Sequence, residues 1–285
     1  MIGRRAVVGL SMLSALFFCA FTAQSASATE RITSNNTTTY TCVNDGSKTG
    51  DFKDAHCDQT GTPGKEEYKH VVMPLDTTTS VDATNEKVTN STKDKEPAIL
   101  KSTIGLGKVT IECAVVKGNT AKSTQHNVEP SKGQHRFTGF AEAEWSSCNV
   151  KEMAKCIVSE PIIAQANFYG VEGMLGPKGE KNAMGVEYVG AGAEELFATL
   201  QFKNKGAEAC SLHEKNFPVK GSVIGTAGPG TESGQENKEA GATIAITPNN
   251  NMQTLSLGPN PATFSVIAVP TMAGTTTPIS ITTST

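Results

Sequence analysis

The chain has no Cys-x-x-Cys pair and its five histidines are scattered, so the compact Cys/His clusters that hold structural zinc are missing. It also lacks a Gly-x-Ser-x-Gly elbow, a His-Glu-x-x-His pair, a phosphate-binding Gly-x-x-x-x-Gly-Lys-[Ser/Thr] loop and a Gly-x-Gly-x-x-Gly turn. Gly105-Leu106-Gly107 and Gly190-Ala191-Gly192 lack the third glycine and read as turns. The usual signatures of serine hydrolases, zinc proteases, P-loop enzymes and dinucleotide enzymes are therefore absent, and no cofactor or metal is expected. A surplus of positive charge is missing too. With 25 basic and 28 acidic side chains the chain is mildly acidic, which argues against nucleic acid or anionic lipid as a partner.

Long hydrophobic runs are confined to one place. Arg4 and Arg5 precede an uncharged stretch from Ala6 to Phe21, and Ser25-Ala26-Ser27-Ala28 follows with small residues, the layout of a cleaved export leader spanning residues 1–28. The run of about 16 residues falls short of the ~20 that a membrane-spanning helix needs, so no span remains after cleavage. Removal of the leader leaves 23 basic and 28 acidic side chains, a net charge of −5. The expected location is outside the cell or at its surface.

What is present begins with cysteine. Seven occur, and Cys19 leaves with the leader, so six remain: Cys42, Cys57, Cys113, Cys148, Cys156 and Cys210. An even set in an exported chain reads as three disulfides. Loop length favours Cys42 with Cys57, closing roughly 15 residues for about 3 kcal/mol in the chain-entropy model. Cys148 and Cys156, eight apart, form a second local pair, which leaves Cys113 to Cys210 as a long-range bridge of up to about 4.7 kcal/mol.

Short apolar alternations separated by glycine and proline dominate the rest. Lys108–Val116, Glu195–Lys203, Phe217–Gly225 and Thr263–Val269 follow a period of two, Ile162–Leu175 is a longer strand, and Tyr68–Met73 is another. Only Val150–Cys156 reads as a short helix. The fold class is all-β, an antiparallel sandwich or barrel-like domain stapled by disulfides. Its divisions are an N-terminal disulfide element over residues 29–75, a polar connection over 76–96, the main β-rich domain over 97–270 and a Thr/Ser-rich tail over 271–285. The tail reads either as flexible or as an edge strand at Ile279–Thr282. Gly225–Gly241, with almost nothing apolar, reads as a mobile loop.

Candidate chemistry is sparse. Glu142 and Glu144 stand two apart beside Trp145, and with Glu160 they are the acids that a carbohydrate hydrolase would use; two carboxylates on an exposed strand face are the plainer reading, with the tryptophan in the core. His126 near Glu129, and His213 beside Glu214, pair an imidazole with a carboxylate in polar, turn-rich surroundings that suit solvated side chains. Asn44, Asp45, Asp51, Asp54 and Asp58 crowd around the first bridge, where oxygen ligands for calcium compete with ordinary turn formation. Asn35, Asn36 and Asn90 begin glycosylation sequons.

Several segments together resemble a family. Tyr40-Thr41-Cys42, Asp51-Phe52-Lys53-Asp54-Ala55-His56-Cys57, Ile111-Glu112-Cys113, Gly221-Ser222-Val223-Ile224-Gly225 and Asn251-Met252 are similar to elements of uncharacterised exported six-cysteine proteins of high-GC Gram-positive bacteria. Gly118–Arg136 is more polar here than in that pattern. The resemblance implies no activity, cofactor or site residue. The expected function is a non-catalytic extracellular or cell-surface module that binds an envelope polymer, a glycan or a protein. A secreted carbohydrate hydrolase and a purely structural envelope protein are the alternatives.

Overall fold

The structure is a computed structural model that describes residues 37–44, 46–53, 61–89, 92–95, 97–105, 107–132, 134–174, 182–227, 244–246, 254–274 and 279–283. The leader with Cys19, the sequon asparagines, Cys57, Asp45, Asp54, Asp58 and residues 228–241 of the glycine-rich loop lie outside these. All described residues belong to one compact unit, Thr33–Thr285.

That unit is all-β and antiparallel throughout its ladders. The strands are β1 (Thr37–Asn44), β2 (Tyr68–Val72), β3 (Thr79–Thr84), β4 (Glu86–Thr89), β5 (Thr92–Lys95), β6 (Ala98–Ile104), β7 (Gly107–Gly118), β8 (Thr124–Ser131), β9 (Gln134–Val150) and β10 (Cys156–Val158). They continue as β11 (Ile162–Met174), β12 (Asn182–Gly190), β13 (Leu196–Asn204), β14 (Asn216–Lys220), β15 (Ser222–Ala227), β16 (Ile244–Ile246), β17 (Ser256–Leu257), β18 (Asn260–Met272) and β19 (Ile279–Thr283). Residues 151–155 form turns rather than the expected helix, because Val150 ends a strand and Cys156 begins the next.

Two long strands, β9 and β18, organise the domain by changing partners halfway along. The N-terminal part of β9 pairs β8 and its C-terminal part pairs β7. Residues 262–265 of β18 pair β6, and residues 269–272 pair β3. The result is a closed ring of hydrogen-bonded strands, β3-β8-β9-β11-β12-β15-β16-β18 and back to β3. Closure removes the unpaired edges of an open sheet. From the other half of the same two strands a second curved sheet runs β9-β7-β6-β18-β17-β14-β13-β10. The Glu160 carboxylate stitches its remaining seam by accepting the Ser147 and Cys148 amides of β9, at 2.7 and 2.6 Å.

Where the sequence alternates, the structure follows it. Strands β7 and β18 contain Lys108–Val116 and Thr263–Val269, β13 takes up Glu195–Lys203 from Leu196 onward, and β11 contains the described part of the longer strand, Ile162–Met174. Phe217–Gly225 instead divides into β14 and β15 at Gly221, whose φ of +111° and close approach to the Thr254 carbonyl admit no side chain. A side chain at Gly139 would strike the Phe168 ring, and one at Gly170 the Phe137 ring, so each glycine is roofed by an aromatic of the neighbouring strand.

The described residues of the polar connection, 76–89 and 92–95, are more ordered than their polarity suggests. β3 completes the ring, and β4 pairs β5 antiparallel. Asn85, 1% exposed, acts as a backbone substitute for β7: its amide donates to the Ala114 carbonyl at 3.0 Å and its oxygen accepts from Val116 N at 3.1 Å. The C-terminal segment takes the edge-strand alternative. β19 pairs β1, which pairs β2, and this small sheet rests on the ring through a buried polar seam. There Asn127 accepts from Thr39 N at 3.1 Å and donates to the Met73 carbonyl at 2.7 Å, while Thr39 Oγ1 donates to Gln125 at 3.0 Å.

Two of the expected bridges are corrected. Cys113 joins Cys148, and Cys156 joins Cys210. Loop length misled because the β7–β9 register sets Cys113 directly opposite Cys148. Cys156 opens β10, which pairs with Asn204 of β13, and the Asn204 side chain accepts the Cys210 amide and holds that cysteine nearby. Cys42 is disulfide-bonded as expected.

Candidate apolar binding cavity

The interior of the domain is not filled. A cavity of about 230 Å³ lies within it, walled by the inward side chains of both sheets and closed on one side by Thr39 of β1 and Ile279 and Ile281 of β19. Its origin is visible strand by strand. On β9 the inward positions are Ala141, Ala143 and Trp145; on β11 they are Ile162, Ala164, Ala166 and Phe168; on β18 they are Phe264, Val266, Ala268 and Pro270. Alanine stands at five of these places, and a methyl group reaches only a fraction of the distance that leucine would. Elsewhere the same core is closed tightly, with Phe202 and Leu257 0% exposed.

The wall is overwhelmingly apolar. Trp145 stacks against Phe264 with ring centroids 4.9 Å apart, which places the single tryptophan of the chain beside the cavity. Tyr188 of β12 packs against Phe168 at 5.9 Å. Among the described residues no lysine, arginine or histidine lines the space. The two carboxylates at its margin, Asp82 and Glu142, are engaged: Asp82 accepts from Ala83 N at 2.8 Å, and Glu142 is described next.

Glu142 points to the opposite side of β9 from Trp145. Its side chain, 5% exposed, accepts from Asn119 at 2.7 Å, Gln165 at 2.7 Å and Lys122 at 3.0 Å, covered by these donors rather than by depth of protein. The Gln165 hydrogen bond, followed by that from Lys122, holds its carboxyl below the usual carboxylate range. A general acid needs the opposite shift. Glu144, two residues on, is exposed, and Glu160 is committed to the β9 amides. The acids that a glycosidase would use are thus held in structural hydrogen bonds or left in solvent.

The other candidates fall apart in space or into turns. His213 meets Glu214 only at 3.9 Å with both side chains well exposed. His126 lies on β8, its Nδ1 buried with no partner among the described residues, and Glu129 is exposed on the same strand. Asn44 caps Gly46 N at 2.8 Å and Asp51 accepts Gly64 N at 2.9 Å, both turn-forming roles. Among the described residues no three His, Cys, Asp or Glu side chains gather as metal ligands, and no helix is long and apolar enough to cross a membrane.

The cavity is the feature that motif searching passes over. A signal exists in Ala-Glu-Ala-Glu-Trp (141–145) and Ala-Gln-Ala-Asn-Phe (164–168), where small residues occupy the inward phase of two strands that pair with each other. Comparisons with protein-family models, curated proteins and solved structures found no match to this chain.

Proposed function

We propose that this is an exported, non-catalytic binding protein of the cell surface or surroundings, and that its ligand is a small apolar molecule held inside the barrel. The observation that carries this reading is the apolar cavity itself: small molecules bind in concave, mostly apolar, preformed sites, and alanines leave this one open in an otherwise close-packed core. The structural engagement of Glu142 and Glu160 favours binding over hydrolysis. The bridges Cys113–Cys148 and Cys156–Cys210 suit an oxidising location, in keeping with the leader expected from the sequence and with the resemblance to exported six-cysteine proteins.

Trp145 supplies the test. Titration of the oxidised protein with propylbenzene is expected to change its tryptophan emission saturably and to raise its Tm by mass action. Ala164→Leu, whose three added carbons take up part of the space and leave too little for the nine carbons of propylbenzene, is expected to weaken both responses. Saturable binding of envelope glycan with no response to propylbenzene would replace this reading with a surface-binding one.

A further inference from the structure

Resting on that reading, we propose that the cavity selects a neutral, compact hydrophobe of about nine non-hydrogen atoms carrying one hydroxyl or carbonyl group, which hydrogen-bonds to the Tyr188 hydroxyl. Size comes from volume. An engineered cavity of about 150 Å³ accommodates the six carbons of benzene, so about 230 Å³ accommodates about nine atoms at the same filling. A long acyl chain is too large for this space unless the small sheet moves away.

Charge comes from the wall. With no cation among the described residues that line the space, a carboxylate or phosphate would meet no counter-ion there, and desolvating an unpaired charge is prohibitive. Glu142 does not invite a cationic ligand, because Asn119, Lys122 and Gln165 already donate to it; Asp82 stays at the margin, where it accepts from Ala83 N, and an ammonium group carried past it into the apolar space would be desolvated without a partner.

The polar handle comes from Tyr188. Its hydroxyl has no hydrogen-bond partner among the described residues and, unlike the buried unpartnered Trp145 Nε1 on the same wall, it is not sealed off, so a ligand can reach it. The ring lines the cavity and remains only partly covered while lying deep in the protein, so the surface it leaves open faces the cavity. Burial also pushes its ionisation far above the ordinary phenol range, which keeps it a neutral donor. A ligand oxygen would satisfy this group, whereas a pure hydrocarbon would leave it unpaired.

A matched set of ligands decides the matter: propylbenzene, 2-phenylethanol, 2-phenylethylammonium and phenylacetate, titrated at pH 7 by Trp145 emission. Both neutral compounds are expected to bind and both ions to fail. Tyr188→Phe is expected to weaken 2-phenylethanol about tenfold relative to propylbenzene, the worth of roughly one hydrogen bond. An unchanged ratio would overturn the role of Tyr188, and phenylacetate binding as tightly as 2-phenylethanol would overturn the neutral-ligand assignment. Loss of all binding, propylbenzene included, would instead sink the cavity reading beneath it. A second measurement needs no variant: with [13Cζ]tyrosine in the four tyrosine positions, 2-phenylethanol should move the Tyr188 resonance more than propylbenzene does, and equal shifts would count against the hydrogen bond.

Discussion

The seam that seats the small sheet and the cavity beside it use opposite materials. At the seam, Thr39, Gln125 and Asn127 are buried and hydrogen-bonded to one another and to the Met73 carbonyl. In the cavity, alanine methyls and aromatic rings face space that no side chain of the described residues fills. The difference follows from what each must satisfy. Where β1 meets β8, buried backbone groups need partners, and side-chain amides provide them in only one relative position. The alanine and aliphatic positions of the cavity wall have no such obligations and can stay open as long as their strands are held from behind.

Substitutions that trade the two materials should separate them. The largest effect is expected at Asn127→Ala, which strips partners from Thr39 N and the Met73 carbonyl in a site with no access to water. A loss of about 2–4 kcal/mol in urea unfolding is expected, since each buried orphaned group costs about 1–3 kcal/mol. A loss below about 1 kcal/mol would mean that the seam does not seat the small sheet. Next comes a pair of identical changes in different surroundings. Ala98→Leu enters the close-packed part of the core, where Ala98 is 0% exposed, and should cost about 1–3 kcal/mol by overpacking. Ala164→Leu points into the cavity and should be neutral or stabilising by up to about 1 kcal/mol, as measured by the same unfolding curve. Equal losses at both places would argue that the cavity collapses in solution.

The smallest effect concerns Glu142. Because its folded carboxyl is held below 4.5, its contribution is fully present above that pH and is lost as pH falls through the lower folded value. The Tm difference between the wild type and Glu142→Gln should accordingly be widest near pH 6–7 and shrink below about pH 4.5. A difference that grows with acidity would mean that the carboxyl is protonated when folded, as a general acid would be.

Legibility divided along the same line. The strands around Cys113, Leu200 and Val266 could be read locally, because a period of two buries one face wherever the strand lies. The disulfide partners could not, since Cys113 meets Cys148 only through the β7–β9 register, and loop length carries no information about register. Asn85 and β3 were hidden by their polarity: a segment rich in Thr, Asn and Asp looks like linker until its side chains are seen to serve as backbone partners.

The amino-acid order by itself determined the all-β character and the apolar phase of the main strands, because these depend on neighbours two residues apart. It also set the inward alanines at 141, 143, 164 and 166. Only the tertiary structure decided that these alanines converge on one hollow and that β19 returns to pair β1, with Tyr188 placed at the wall of the same space. Convergence depends on which strands close the ring and in what register, and that is settled by pairings between residues tens to hundreds of positions apart.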